Sequence, residues 1–245
     1  MKLLTVVWRF VRGFVHACAG YAAIQLVFPR IAVAEQERRV NVWAQKMLRI
    51  AGITLQIKGT PPPHGPMLLV ANHISWLDIL VMHAAGHCRF VSKSDVKAWP
   101  LIGTFADGAG TLYVARESRR DAHRVVGHMA ERLVAGDILA VFPEGTTGDG
   151  VKLLDFHANL IQSAIDASAP VGPVALMFLD AASGAISFAP SYVGDESLIG
   201  SIWRTLSAPP LTAVVMFGEP QRAHGRNRRE WAQALRRDIA QLRGR

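Results

Sequence analysis

The feature that most constrains this chain is an alternation: beyond residue 66, short apolar runs of strand length are separated by stretches with helical spacing. Strand-like runs fall at 67–71, 89–92, 111–115, 138–142, 171–178, 186–189 and 212–217, and helical patterns near 76–86, 120–135, 157–168 and 227–243. Strands separated by helices return by crossovers, so the pattern predicts an α/β fold with a mostly parallel sheet flanked by helices on both faces. No internal repeat or low-complexity segment interrupts it. Half of the 245 residues are apolar and 19% are charged, which supplies such a core and excludes a disordered chain or a long solvated coiled coil. Cys18 and Cys88 are too few for a disulfide framework, and no paired CxxC units are present to hold zinc.

The first 58 residues read differently. Residues 13–29 are uncharged, at the lower limit of the roughly 17 to 25 that a spanning helix needs. Upstream, Val6, Val7, Trp8, Phe10, Val11, Phe14 and Val15 surround Arg9 and Arg12, an amphipathic pattern with an aromatic fringe. A membrane-dipping helix ended by Pro29 is expected, with a second helix over 35–50 carrying Val40, Trp43, Met47 and Leu48 on one side. Ala32-Val33-Ala34 mimics a signal-peptide cleavage site, but Pro29 and Arg30 intervene. The chain thus divides into a two-helix membrane-anchoring unit, 1–58, and an α/β domain, 59–245, entered through the turn-rich stretch 59–66.

Charge supports the division. The formal net charge is +8, yet residues 1–60 hold nine bases against Glu35 and Glu37, and residues 222–245 hold eight arginines against Glu230 and Asp238. The middle is therefore net acidic. No recognition helix, zinc finger or aromatic RNA-binding pattern accompanies the basic ends, so no nucleic-acid partner is expected. Basic ends suit anionic lipid headgroups, and they also suit solvated helix faces. The apolar side of the C-terminal helix, Trp231, Leu235, Ile239 and Leu242, is expected to dock on the domain.

Four segments concentrate the chemistry. Asn72-His73-Ile74-Ser75-Trp76-Leu77-Asp78-Ile79 follows directly on the strand at 67–71, where α/β sheets build their sites. Five residues at about 100° per step would leave His73 and Asp78 about 140° apart on one helix. His73 is therefore placed in the turn, Ser75 at the N-cap and Asp78 in the first helical turn, from which its carboxylate reaches back. Taken alone, the same residues also suit a capping acid beside a loop histidine. Phe142-Pro143-Glu144-Gly145-Thr146-Thr147, with Gly148 and Gly150, suits an anion-binding concavity or a plain tight turn. It is no nucleotide P-loop, because Val151 stands where the lysine is required. The stretch 93–116 combines Pro100, Gly103, Gly108 and Gly110 with Lys93 and Arg116 at its ends, as a loop around a phosphorylated ligand would, or as a solvated surface loop. Pro170 to Leu176 carries no chemistry of its own, and its prolines confine it to a strand start or an edge. His83, His87 and Cys88 read as a helix-end cluster, and no GxSxG elbow exists.

In order and spacing these four segments resemble the four motifs of the bacterial 1-acyl-sn-glycerol-3-phosphate acyltransferases, the lysophosphatidic acid acyltransferases. The resemblance spans about 67–176 by motif. It implies His73 as general base, Asp78 as its orienting acid, Lys93 and Arg116 on the acceptor phosphate, and Glu144, Gly145 and Thr146 in the acceptor-binding loop. It also implies a lysophospholipid acceptor, acyl-CoA or acyl carrier protein as co-substrate with no cofactor or metal, and a place on the inner membrane with the catalytic domain facing the cytoplasm. Three positions depart from the family pattern. Thr147-Gly148 stands where Arg-Ser is usual after FPEGT, Asp95 where Glu is common, and Phe156-His157 where Phe-Lys is frequent. The two losses of positive charge, at Thr147 and His157, bear on the acceptor headgroup, and another lysolipid such as a lyso-ornithine lipid is the alternative acceptor. A non-catalytic lipid-binding protein of the membrane surface is the alternative of another class.

Overall fold

A computed structural model describes residues 2–114 and 119–244. Two helices, α1 (Lys2–Leu26) and α2 (Val33–Ala51), precede the sheet. The strands are β1 (Ile53–Lys58), β2 (Met67–Ala71), β3 (Arg89–Lys93), β4 (Leu112–Val114), β5 (Ile138–Val141), β6 (Val171–Asp180) and β7 (Leu211–Phe217). Between them lie α3 (Leu77–Ala85), α4 (Ile102–Gly108), α5 (Arg119–Val134), α6 (Gln162–Asp166) and α7 (Leu198–Ser207), and α8 (Arg228–Arg243) closes the chain. The strand order is β1-β7-β6-β2-β5-β3-β4. Every pairing is parallel except β6 with β7, so the sheet is mixed, with β1 and β7 running against the other five.

β2 and β5 are buried at every position, as central parallel strands covered on two faces require. Alternate residues feed two cores. Met67, Leu69 and Ala71 of β2 join Ala44 and Leu48 of α2 and Leu77, Val81 and Met82 of α3 on one face. Leu68 and Val70 join Val125, Met129 and Leu133 of α5 and Trp231, Leu235 and Ile239 of α8 on the other. α8 docks on the domain, as expected. Lipid would cover the same apolar area, so the hydrophobic term alone does not choose that site. The buried Trp231 indole N–H donates to Gln221 Oε1 at 3.1 Å, a partner that hydrocarbon cannot offer. Asn227 and Glu230 form a reciprocal capping box that starts the helix.

α1 packs on α2, α4 and α7, antiparallel to α2, since His16 stacks on Trp43 and Gly13 faces Met47. α2 turns straight into β1 through Gly52 in the left-handed region (φ 77°), where any Cβ would collide with the Arg9 guanidinium of α1. Residues Leu3–Arg30 are long and apolar enough to cross a membrane by length and composition. Leu4, Trp8, Phe14 and Val15 are exposed. α2 differs, because it forms part of the core layer over the sheet.

Several sequence expectations change. Residues 53–58, grouped above with the N-terminal helices, form β1 and pair with β7. The run 186–189 makes only an isolated bridge from Ile186 to Leu179. The edge of β6 is taken up to Val174 by β2, and at Leu176 by the Asn72 side chain, which leaves no room for a longer ladder. Ala189 N–H turns instead to Ser187 Oγ, and Pro190 has no donor. The helix expected at 157–168 is a 3₁₀ turn, Ala158–Ile161, running into the short α6. α4 and α7 were not anticipated.

Candidate active site

β2, β3, β4 and β5 are parallel, so their carboxyl ends share one edge of the sheet. His73 follows β2, Glu144-Gly145-Thr146 follow β5, and Lys93 ends β3. Strand order thus brings to one edge residues far apart in sequence. Arg116, expected beside Lys93 on a phosphate, lies outside the described residues, two positions beyond the end of β4.

The turn between β2 and α3 is built around one oxygen. Asp78 is fully buried, and its Oδ2 accepts the backbone N–H of Ile74 at 2.6 Å, that of Ser75 at 2.9 Å, and His73 Nδ1 at 2.8 Å. Ser75 Oγ accepts the Leu77 N–H at 3.2 Å. The N-cap is Trp76, one residue later than the expected Ser75, and no reciprocal capping box forms: Asp78 Oδ2 accepts the Ser75 N–H, but the Asp78 N–H donates to the Ser75 backbone carbonyl at 3.1 Å and not to Oγ. A carboxylate oxygen at Nδ1 places the imidazole proton there. His73 Nε2 then carries the lone pair and has no hydrogen-bond partner among the described residues. The ring is held in plane by Phe142, with centroids 3.9 Å apart and an interplanar angle of 5°, and Phe142 in turn stacks on Phe90 at 5.5 Å. The side chain remains 18% exposed, accessible from the carboxyl edge.

The loop after β5 clamps the main chain of His73 from both sides. Glu144 Oε1 accepts the His73 N–H at 2.8 Å, and Gly148 N–H donates to the His73 carbonyl at 2.8 Å. The other Glu144 oxygen, Oε2, accepts the Leu154 N–H at 2.9 Å. Burial holds the Glu144 carboxyl above the usual carboxylate range, and the His73 and Leu154 N–H groups offset only part of that rise. Both of its oxygens are thus engaged by main chain. Gly145 adopts φ 72°, and a Cβ there would stand 3.1 Å from the His157 ring. Thr146 is exposed beside it, and Thr147 Oγ1 donates to the Tyr192 carbonyl. Lys93 is exposed at the same edge.

His83, His87 and Cys88 lie at the opposite edge, before β3 begins. His87 Nε2 stands 3.1 Å from Glu37, and Arg89 links Glu37 to Asp137. Burial pushes the Cys88 thiol up to about 12, so it is no nucleophile at neutral pH. Sequence reasoning missed Phe142 as a stacking platform and Asn72 as the peg that ties the β2 end to Leu176, both adjacent to motif residues.

The family model described as Acyltransferase matches residues 52–177. A curated 1-acyl-sn-glycerol-3-phosphate acyltransferase of Neisseria gonorrhoeae is 39% identical over 184 residues, covering 74% of this chain and 71% of that protein. A lyso-ornithine lipid O-acyltransferase of Pseudomonas aeruginosa is 33% identical over 231 residues, covering 93% of this chain and 88% of that protein. The crystal structure of the 1-acyl-sn-glycerophosphate acyltransferase PlsC from Thermotoga maritima superposes with a TM-score of 0.71, covering 100% of this chain and 99% of that chain at 17% identity, which is a likeness of fold. With a matching family domain across half its length and relatives of this identity and coverage, the chain belongs to the acyltransferase family that includes the 1-acyl-sn-glycerol-3-phosphate and lyso-ornithine lipid acyltransferases.

Proposed function

We propose that this protein transfers a fatty acyl chain from acyl-CoA or acyl carrier protein to the sn-2 hydroxyl of 1-acyl-glycerol-3-phosphate, giving phosphatidic acid, with His73 as general base. The observation that carries the reading is the His73–Asp78 contact of 2.8 Å at the carboxyl edge, with Nε2 unengaged among the described residues. A glycerol hydroxyl is a poor nucleophile while it holds its proton. His73 Nε2 takes that proton as the oxygen attacks the thioester carbonyl, and Asp78 stabilises the imidazolium that forms. Collapse of the tetrahedral intermediate breaks the C–S bond, and the thiolate recovers the proton from Nε2. Proton transfer of this kind contributes roughly 10² to 10⁴ in rate, and holding two lipid-like substrates at one edge contributes much of the remainder.

Lys93, with Arg116, is assigned to the acceptor phosphate, and Gly145 and Thr146 to the loop beneath it. Glu144 serves that loop from within, since its oxygens face main-chain donors. The exposed apolar side of α1 is assigned to the inner membrane, with the α/β domain on the cytoplasmic face where soluble acyl donors arrive.

Two observations favour a second acceptor, a lyso-ornithine lipid: Thr147-Gly148 replaces the usual Arg-Ser of the phosphate-binding motif, and the lyso-ornithine relative aligns over more of the chain. Incubating purified protein with each lysolipid and each donor type, and weighing the products by mass spectrometry, separates these readings. Phosphatidic acid formation abolished in His73→Ala supports the proposal. Product from the ornithine lipid alone replaces the acceptor. No product with any pair favours a binding protein.

A further inference from the structure

The C-terminal basic segment enters the active site indirectly. α8 lies on the far core layer, yet Arg236 and Arg243, two helical turns apart and so on one face, both reach the irregular stretch 149–155 that follows the motif after β5. Arg236 donates from Nε to the Leu154 carbonyl at 2.9 Å and from Nη2 to the Leu153 carbonyl at 2.6 Å. Arg243 Nη2 donates to the Gly150 carbonyl and, at 3.2 Å, to that of Val151. Two guanidinium groups, Arg236 through two nitrogens and Arg243 through Nη2 alone, thus hold four carbonyls of a stretch with no helix or strand of its own. Its N–H groups are used elsewhere: those of Val151 and Lys152 point to Asp149 Oδ1, and that of Leu154 to Glu144 Oε2.

We propose that Arg236 and Arg243 are positioning residues for His73, acting through Leu154 and Glu144. The connection is continuous: Arg236 Nη2 donates to the Leu153 carbonyl, whose peptide group carries the Leu154 N–H, that N–H donates to Glu144 Oε2, and the His73 N–H donates to Glu144 Oε1. Releasing the stretch lets Leu154 N–H leave Glu144, and a buried carboxylate with one oxygen unpaired no longer holds the His73 main chain in register with Phe142 and Asp78. Arg243 does not act here as a replacement for the arginine missing after FPEGT, because its Nη2 is committed to carbonyls and its neighbouring charges are Glu144 and Asp149. The inference rests on His73 being the general base.

The test is steady-state kinetics of the full chain in detergent, with acyl-CoA and whichever of the two lysolipids turns over. Arg236→Met with Arg243→Met should lower kcat by about tenfold or more with acceptor KM within about twofold, while Arg237→Gln, which removes one charge from the exposed side of α8, stays at wild type. Adding both changes to Glu144→Gln should lower kcat by no more than about threefold further, because the residues act in series. Losses that multiply, a loss carried by acceptor KM, or a kcat unchanged in the folded double variant would each overturn the clamp. If the double variant fails to fold, Arg236→Lys and Arg243→Lys replace it. Lysine has no planar pair of nitrogens to span the Leu153 and Leu154 carbonyls as Arg236 does, so a kcat fall of about threefold or more with unaltered circular dichroism supports the clamp, and full activity overturns it. Full activity of His73→Ala refutes the general-base reading itself, whereas an inactive His73→Ala beside fully active arginine variants refutes the clamp alone.

Discussion

Replacing Asp78 with Asn separates the two tasks of that side chain. Asn is nearly isosteric, and its carbonyl oxygen can keep the position of Oδ2, accepting the Ile74 and Ser75 N–H groups and His73 Nδ1–H. Its NH₂ then falls at Oδ1, which is buried without a hydrogen-bond partner among the described residues. The turn and the imidazole tautomer therefore survive, and only the negative charge is lost. An imidazolium and a carboxylate with charge centres about 4 Å apart attract by about 4 kcal/mol at an effective dielectric constant of about 20. The amide dipole recovers part of this, so the transition state loses about 2–4 kcal/mol, or about 30- to 1,000-fold in kcat. Asp78→Ala should be worse in a second way, since it orphans two buried N–H groups at about 1–3 kcal/mol each and lowers the unfolding midpoint. Turnover at saturating substrates and urea denaturation of both variants measure the two effects apart. An Asp78→Asn enzyme within about fivefold of wild type, folded and saturated, would refute the electrostatic role given to Asp78.

Two further outcomes are expected. His83 is buried edge-on to Phe90, and burial, with help from His87, pushes its pKa down to about 4. A lowered histidine binds fewer protons folded than unfolded, so stability is complete above the unfolded value near 6.5 and falls as pH drops toward 4. Between pH 7 and pH 5 this amounts to about 2 kcal/mol, and urea titrations at the two pH values should show a smaller difference in His83→Leu. On α1, Trp8→Glu with Phe14→Glu places charge on the exposed apolar side and should move the protein from the vesicle-bound to the free fraction in flotation with anionic liposomes. Unchanged flotation would remove α1 from the membrane contact.

The relation of sequence to site differs from residue to residue. The His73–Asp78 pair was legible because both partners sit in one turn, where the helical period shows that they do not share a helix face and that Asp78, placed in the first helical turn, can reach back to His73. The strands at β2 and β5 were legible because a run buried at every position is apolar throughout. The strand at β1 was not. Only Ile53 is buried there, so the segment carries little pattern of its own and owes its conformation to pairing with β7. The 186–189 run misled for the converse reason: its composition suits a strand, but β2 and Asn72 already occupy the edge it needs.

By itself the sequence determined the layer architecture, the strand-to-helix turn that carries His73, and the uneven charge that sets the basic ends apart from an acidic middle. Those are local properties, written in side-chain period and in residues a few positions apart. The tertiary structure alone decided that β5 lies beside β2, that Phe142 stacks on the imidazole, that Glu144 faces main chain, and that the C-terminal arginines hold the stretch beneath it. Glu144 meets His73 across 71 residues and Arg236 meets Leu153 across 83. Contacts at such separations follow from strand order and crossover packing, which depend on how all the layers close together and which no local period encodes.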